Sequence, residues 1–261
     1  MDFGIFGFIV AGLTVGFIVG MTGVGGGSLM TPILLWFGIN PATAVGTDLL
    51  YAAITKSGGV LVHSKNKNID WTITGWLTLG SVPAVMLTLW FLSTLHTAPD
   101  AMNAVIKQAL GVVLILTALA VFFKQRLLAF AHARAGGNYR PSGASLRVMT
   151  VVTGLILGTM VALTSIGAGA LGTVALFILY PVLATRRLVG TEIAHAVPLT
   201  LVAGFGHASM GNMDWAVLGY LLIGSLPGIY IGSQLTGRVS DNVLRPCLAA
   251  MLMLIGAKLV F

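Results

Sequence analysis

The chain has 261 residues, of which 57% are hydrophobic and only 8% are charged. Because about 25% of the residues of an ordinary soluble domain are charged, this composition excludes one. The net charge of +7 does not indicate a nucleic-acid partner, since the basic residues stand in short loops beside apolar stretches, where membrane topology explains them. A single cysteine also excludes a disulfide framework within the chain. The composition therefore predicts a protein that spans a lipid bilayer.

Apolar stretches follow one another along the chain, five in each half. They lack the alternating pattern of barrel strands, and a backbone in hydrocarbon must satisfy its own hydrogen bonds, so each is expected to be a helix. The second stretch of each half is shorter than the ~20 residues that cross a bilayer, which predicts glycine-broken or re-entrant helices and about 8 to 10 membrane segments. In chain order the stretches are 3–19, 29–37, 44–62, 71–95, 105–123, 146–163, 170–183, 190–208, 215–235 and 243–261.

The second half repeats motifs of the first, about 143 positions further along the chain. A duplicated membrane bundle with glycine-interrupted segments at matching places is typical of a transporter whose site lies between the halves. The matching pairs are Thr22–Leu29 with Thr164–Leu171, Val45–Asp48 with Val189–Glu192, Asn68–Trp71 with Asn212–Trp215, and Gly80–Pro83 with Gly224–Pro227.

Loop charges indicate that the two halves are inverted relative to each other. If the basic connector faces the cytoplasm and each half makes an odd number of passes, the positive-inside rule accounts for all but three of the 14 Lys and Arg. Those three are Lys56, Lys107 and Lys258. We therefore expect an all-α, polytopic membrane bundle of two inverted-topology repeats, residues 1–123 and 147–261, joined by a cytoplasmic basic linker at 124–146.

The glycine run before the short segment of each half is the strongest candidate site. A helix N-terminus offers unpaired N–H groups and a partial positive charge, which together suit an anion. The alternative is that these glycines only permit close helix packing. The predicted substrate-binding residues include the hydroxyls that flank the runs or precede the acidic residues, and they are Thr22, Gly25, Gly26, Gly27, Ser28, Thr47, Thr164, Ser165, Gly167, Gly169 and Thr191.

Three charged residues inside apolar stretches are candidates for coupling. Asp48 and Glu192 stand at matching places, where each is either a dipole partner of a helix N-terminus or a proton carrier. Lys56 is eight residues after Asp48, hence on roughly the same helix face. It could pair with Asp48, bind an anion, or snorkel to an interface. His63 and His207 also match, and an interfacial position explains them better than a proton relay does.

No motif of an enzyme is present in the sequence. There is no Walker glycine-lysine motif, no histidine pair at helical metal spacing and no Gly-x-Ser-x-Gly elbow. We therefore expect no catalytic residues, no metal and no cofactor.

A set of motifs recurs in the two halves, more weakly in the second. In the first half they are Gly23-x-Gly25-Gly26-Gly27, Pro32, Ala44–Thr47, His63 and Asn68–Trp71. Together they resemble the sulfite exporter TauE/SafE family of membrane permeases from about Gly12 to the C-terminus. The resemblance implies a bacterial inner-membrane carrier for small sulfur-containing anions or organic acids. Asp48 and Glu192 depart from the family pattern, which has a small polar residue there, and an ionised carboxyl would oppose anion binding whereas a protonated one would not.

These observations predict a secondary membrane transporter, an exporter of a small oxyanion such as sulfite, an organosulfonate or a sulfo-carboxylate, with proton coupling. The alternatives are a channel-like anion pore and an intramembrane enzyme or assembly factor. The expected partners are the anionic substrate and the lipid bilayer, with no nucleic acid. The sequence leaves the oligomeric state open, a homodimer included.

Overall fold

Helices make up almost all of what the structure describes. This computed structural model describes residues 4–22, 27–95, 98–127, 129, 143–234 and 241–260. Ten helices of ten residues or more occur in these ranges and no strand does, which confirms the all-α prediction. In chain order they are α1 (Gly4–Thr22), α2 (Gly27–Trp36), α3 (Pro41–Lys65), α4 (Trp71–Thr94), α5 (Pro99–Phe122), α6 (Gly143–Thr164), α7 (Ala170–Leu179), α8 (Thr185–Ser209), α9 (Trp215–Gln234) and α10 (Asp241–Val260).

Each helix coincides with one of the ten predicted stretches, but several begin earlier than predicted. Helix α3 begins at Pro41 because the Asn40 side chain accepts a hydrogen bond from Thr43 N at 2.9 Å and caps the N-terminus. Helix α5 likewise begins at a proline, Pro99, since proline lacks the N–H that would be unpaired there. The predicted stretches did not include these polar first turns, because they were bounded by apolar residues.

Two helices are too short to cross a bilayer, as predicted. Helices α2 and α7 have ten residues each, a length of roughly 15 Å against a hydrocarbon core of about 30 Å. Five others are long and apolar enough to span a membrane by length and composition, namely α4, α5, α6, α8 and α9 as far as Gly232. The chain is thus a multi-pass membrane protein.

The halves exchange helices instead of forming two separate bundles. The first helix of each half packs on the fourth helix of the other, so that α1 lies along α9 and α6 along α4. Glycines permit the close approach, because a Cβ at Gly12 or Gly154 would overlap the backbone carbonyl of Leu221 or Leu77. Packing is therefore the role that the structure gives to this pair of repeated glycines.

The equivalent helices α3 and α8 run antiparallel to each other. Gly46, near the start of α3, faces His207 near the end of α8, and Gly190, near the start of α8, faces His63 near the end of α3. Leu50 fills the space beside Gly204 between these ends. The pair forms the centre of the molecule, because both helices have a long buried segment.

Part of the predicted site and of the linker lies outside the described residues. This applies to 23–26, which includes Gly25 and Gly26, and to most of the linker, residues 128 and 130–142. The side chains of Thr22 and Ser28 are also not described. Helix α2 begins at Gly27, two residues before the predicted stretch 29–37.

Candidate functional site

The Gly-Thr pairs of α3 and α8 dock on turns of the opposite half. A Cβ at Gly46 would overlap the carbonyl oxygen of Asn212, and one at Gly190 would overlap that of Asn68. These asparagines belong to the two copies of the motif that precedes the fourth helix of each half. Glycine is therefore required at both positions for the halves to meet.

The threonine after each glycine completes this docking. Thr47 Oγ1 accepts a hydrogen bond from Asp214 N at 3.1 Å, and Thr191 Oγ1 accepts one from Asp70 N at 2.9 Å. Thr191 also donates its proton to Arg187 O at 2.7 Å. The two hydroxyls predicted to bind substrate thus have structural partners here, and their role in substrate binding stays a prediction.

Asp48 is fully buried two turns inside α3, against the short helix α2. Its Oδ2 accepts hydrogen bonds from Thr31 Oγ1 at 2.5 Å and Thr31 N at 3.2 Å. The hydroxyl of Ser165, from the second half, lies beside the carboxyl group, but neither Ser165 Oγ nor Asp48 Oδ1 completes a hydrogen bond. Because buried polar atoms are nearly always paired, these two orphaned oxygens mark a place for another polar group.

Glu192 occupies the matching place on α8, against the other short helix α7. A Cβ at Gly172, in the first turn of α7, would lie 3.1 Å from both Cγ and Oε1 of Glu192. Glu192 is 2% exposed, and its Oε1 has no hydrogen-bond partner. Each acidic side chain therefore faces the short helix of its own half.

The dipole-partner interpretation of these carboxyls was wrong for their own helices. Helix α3 begins at Pro41 and α8 at Thr185, and neither has an acidic residue in its first turn. Asp48 and Glu192 lie two turns further in, beyond the reach of a terminal dipole, which falls off within the first turn. The N-terminal parts of α2 and α7 are the helix ends that they approach.

The glycine loop of the second half is held in an unusual backbone conformation. Ser165, Gly167 and Gly169 have φ angles of 58°, 126° and 150°. Residues other than glycine rarely adopt such positive φ angles. Thr164 Oγ1 donates to Met160 O at 2.6 Å and accepts from Ile166 N at 3.1 Å. Irregular backbone inside a membrane is tolerated where protein covers it or where it lines a polar cavity.

Lys56 connects the two halves inside the bundle. Its side chain is 6% exposed, and its ammonium group donates a hydrogen bond to the carbonyl oxygen of Ala168 in the second glycine loop. The ammonium also interacts electrostatically with the carboxyl groups of Glu192 and Asp48, although it forms no direct ion pair with them in the described ranges. The snorkelling alternative is excluded, since the charge ends in the protein interior.

Sequence reasoning missed a second polar layer beside these residues. His195 and Ser81, from different halves, share a buried hydrogen bond of 2.8 Å between Nε2 and Oγ. Their repeat equivalents, Tyr51 and Ser225, also lie near each other across the halves, although neither hydroxyl completes a hydrogen bond. His195 lies near Lys56, with which it interacts electrostatically. The repeated Gly-Ser-x-Pro motif already contained both serines and could have indicated them.

The two matched histidines lie at the docking surfaces of the halves. His207 is fully buried, and its Nε2 is 2.9 Å from Ala162 O. His63 is partly exposed, with its Nδ1 2.8 Å from the place of a Cβ at Gly190. His207 thus takes a structural partner, and its interfacial interpretation was wrong because the ring is covered by protein.

The described ranges contain no group of three or more His, Cys, Asp or Glu side chains placed to hold a metal ion. Buried polar atoms from both halves instead converge between two short helices in an apolar, multi-pass bundle. This arrangement is typical of a membrane transporter rather than of an enzyme, because its polar groups lie between two similar halves of the chain.

Comparison with known proteins gives the particular family. The family model for the sulfite exporter TauE/SafE matches residues 8–259. The chain belongs to this family of membrane transporters. No solved structure matches it.

Relatives of similar length carry the same general description. The probable membrane transporter protein YjnA of Bacillus subtilis (strain 168) is 39% identical over 252 residues, which cover 97% of this chain and 98% of that protein. The probable membrane transporter protein YdhB of the same organism is 27% identical over 251 residues, covering 92% and 96% of the two chains. A probable membrane transporter protein of Methanocaldococcus jannaschii is 26% identical over 269 residues, covering 95% and 92%. These names indicate a transporter rather than an enzyme.

Proposed function

We propose that this protein is a secondary transporter of the bacterial inner membrane that exports a small oxyanion. Sulfite, an organosulfonate or a sulfo-carboxylate is the expected substrate class, as the family description indicates. The observation that carries the proposal is the buried contact between the halves, in which Lys56 of one half meets the loop carbonyl of Ala168 in the other. A site made by both halves is what alternating access requires.

The substrate site lies between the two short helices. The first glycine run supplies Gly25, Gly26, Gly27 and the hydroxyls of Thr22 and Ser28, and the second supplies backbone near Gly167 and Gly169. The unpaired Ser165 hydroxyl can donate a hydrogen bond to a substrate oxygen. Lys56 adds the positive charge that attracts an anion into the site.

Alternating access follows from an inverted arrangement of residues 1–123 and 147–261, joined by the linker 124–146. The antiparallel course of the equivalent helices α3 and α8 supports this arrangement, because a twofold axis in the membrane plane reverses the direction of every helix that it relates. Rocking of one half against the other would then open the site first to one side of the membrane and then to the other.

Asp48 and Glu192 couple transport to protons. An ionised carboxylate next to an anionic substrate repels it, and a proton removes the repulsion. Export of the anion therefore accompanies protonation of one of the two carboxyls. Each has an oxygen without a hydrogen-bond partner, which leaves room for that proton.

Counterflow of labelled sulfite in proteoliposomes tests the proposal. Unlabelled sulfite inside should accelerate uptake of the label by a carrier, because the return of a loaded site is faster than that of an empty one. A channel-like pore would give flux without acceleration, and an intramembrane enzyme or assembly factor would give no flux. The same assay with sulfonates and carboxylates as internal substrates would identify the preferred anion.

A further inference from the structure

An apolar groove opens at the outer surface of the bundle, and its lining includes none of the residues proposed to bind substrate. It has a volume of about 470 Å³ and is formed by α2, α5 and α10. Its apolar lining includes Ile33, Trp36, Leu254 and Ile255. Trp36 is 74% exposed and Leu254 72% exposed, so the groove opens to the surroundings of the protein.

Two lysines interrupt this apolar lining. They are Lys107 of α5 and Lys258 of α10, and no acidic residue lines the groove in the described part of the chain. Both are exposed. A bound molecule would therefore meet two cations and a hydrophobic wall without a competing carboxylate.

The two lysines lie towards the same end of the α5–α10 pair. Gly256 of α10 packs against Gly111 and Leu114 of α5, and Lys258 is near the end of α10 whereas Lys107 is near the start of α5. The two helices are thus antiparallel neighbours, and these two ends face the same side. Trp36, at the end of α2, also lines the groove, as expected of an aromatic residue at a membrane interface.

The charges of this groove are the ones that topology leaves unexplained. Apart from Lys56, Lys107 and Lys258 are the only basic residues of the sequence that the positive-inside rule does not place at the cytoplasmic surface. Lysine side chains close to a bilayer attract anionic lipid headgroups, and an apolar wall beside them can hold an acyl chain. The combination fits a molecule that has both an anionic group and an apolar chain better than a free anion, which would make no contact with the apolar wall.

We propose that this groove binds an anionic phospholipid, with an acyl chain along Ile33 and Leu254 and the headgroup phosphate at Lys107 and Lys258. The site is independent of the transport function proposed above. Phosphatidylglycerol is the probe for its test, and phosphatidylcholine is the matched zwitterionic lipid.

Native mass spectrometry of the purified, delipidated protein should show preferential retention of phosphatidylglycerol over phosphatidylcholine. In the double variant Lys107→Gln/Lys258→Gln, we expect this preference to fall roughly tenfold or more, since each lysine near an anionic lipid contributes about fivefold. The matched control is Lys65→Gln/Lys67→Gln, which removes the same charge at the last residue of α3 and in the turn that follows it, outside the groove. An equal preference in both double variants would overturn the proposal.

Filling the groove provides a second test that leaves the charges in place. Ile255→Trp should reduce phosphatidylglycerol retention while the thermal unfolding transition in detergent stays within a few degrees of wild type. If the lipid preference is unchanged in this folded variant, or if inorganic phosphate competes as well as the lipid does, an acyl-chain site is disproved. If the groove variants change the oligomeric state and not lipid retention, a second copy of the chain is the occupant and the proposal is also overturned.

Discussion

Lys56 donates a hydrogen bond to the backbone carbonyl of Ala168, which lies 112 positions later in the chain. This contact places a buried lysine at the loop that precedes α7, where it interacts electrostatically with the carboxyl groups of Asp48 and Glu192. This contact joins the two halves, and under the proposed function the positive charge would attract the anionic substrate.

Replacing Lys56 should impair transport and stability together. Lys56→Met has a side chain of similar length and leaves the Ala168 carbonyl unpaired, which costs about 1–3 kcal/mol of unfolding free energy. We expect sulfite counterflow to fall at least tenfold, while Lys65→Met, at the exposed end of the same helix, keeps wild-type flux. Wild-type flux in a folded Lys56→Met variant would contradict the role of this charge.

Neutral variants of the buried carboxyls should change how flux depends on pH. If Asp48 or Glu192 carries the coupled proton, Asp48→Asn or Glu192→Gln should flatten the pH profile of counterflow in proteoliposomes. Asp100→Asn, in the exposed first turn of α5, is the control and should retain the wild-type profile. Unchanged profiles in both buried variants would remove proton coupling through these residues.

Two glycines on α4 differ in their surroundings, so that replacing each by alanine tests whether close packing requires glycine. A Cβ at Gly80 would overlap the carbonyl of Val151 and lie 2.9 Å from Leu155 N, whereas a Cβ at Gly75 meets nothing within 4 Å. Gly80→Ala should therefore lower the unfolding free energy by about 1–3 kcal/mol. Gly75→Ala should be neutral or stabilise by up to about 1 kcal/mol. Thermal unfolding in detergent measures both, and equal effects would refute the packing argument.

Asp70 has two separable roles at the start of α4. Its Oδ1 accepts hydrogen bonds from Thr72 N and Ile73 N at 3.2 Å, and its Oδ2 forms a 3.0 Å ion pair with Arg187 of the other half. Arg187 is 48% exposed, so the pair contributes about 1 kcal/mol or less. Asp70→Ala, which also removes the cap, should cost a further ~1 kcal/mol.

The matched variants Asp70→Asn and Arg187→Gln separate these roles, since each removes the ion pair and leaves an acceptor for the cap. Both should unfold at higher temperature than Asp70→Ala, and high salt should reduce their difference from wild type. Equal unfolding temperatures for all three variants would show that the cap contributes nothing measurable.

Cysteine labelling tests the orientation of the chain. Residues 66 and 98 are exposed on opposite sides of the single helix α4. On a Cys247→Ser background, an impermeant thiol reagent applied to intact cells should label Ala98→Cys and leave Asn66→Cys unlabelled until the cells are opened. Labelling of both in intact cells, or of Asn66→Cys alone, would overturn the predicted orientation.

The helices could be predicted from the sequence because each is a long apolar stretch, and hydrophobicity is averaged over all the residues of such a stretch. Their ends could not, since α3 and α5 begin at polar first turns that apolar content does not include. Asn40 and Pro41 are nevertheless a local signal for the start of α3, because capping depends on residues next to each other in the chain.

The candidate site was only partly predictable. Asp48, Lys56 and Glu192 were evident because a charge inside an apolar stretch is costly and rare. His195 was missed, since its partner Ser81 is 114 positions away and neither residue is unusual in its local sequence. The hydroxyls of Thr47 and Thr191 were expected to face substrate, yet they accept hydrogen bonds from backbone N–H groups of the opposite half.

The sequence by itself determined that this chain is a duplicated, all-α membrane protein with buried charges at matching places. Periodicity, composition and repetition are properties of the chain, and they persist whatever the fold. Only the tertiary structure decided that the halves exchange helices, that the repeated glycines meet backbone of the opposite half, and that Lys56 ends at Ala168. These features depend on contacts between residues far apart in the chain, such as Leu77 with Gly154 and Lys56 with Ala168. In a bilayer such contacts are fixed by close packing and hydrogen bonding rather than by apolar burial alone.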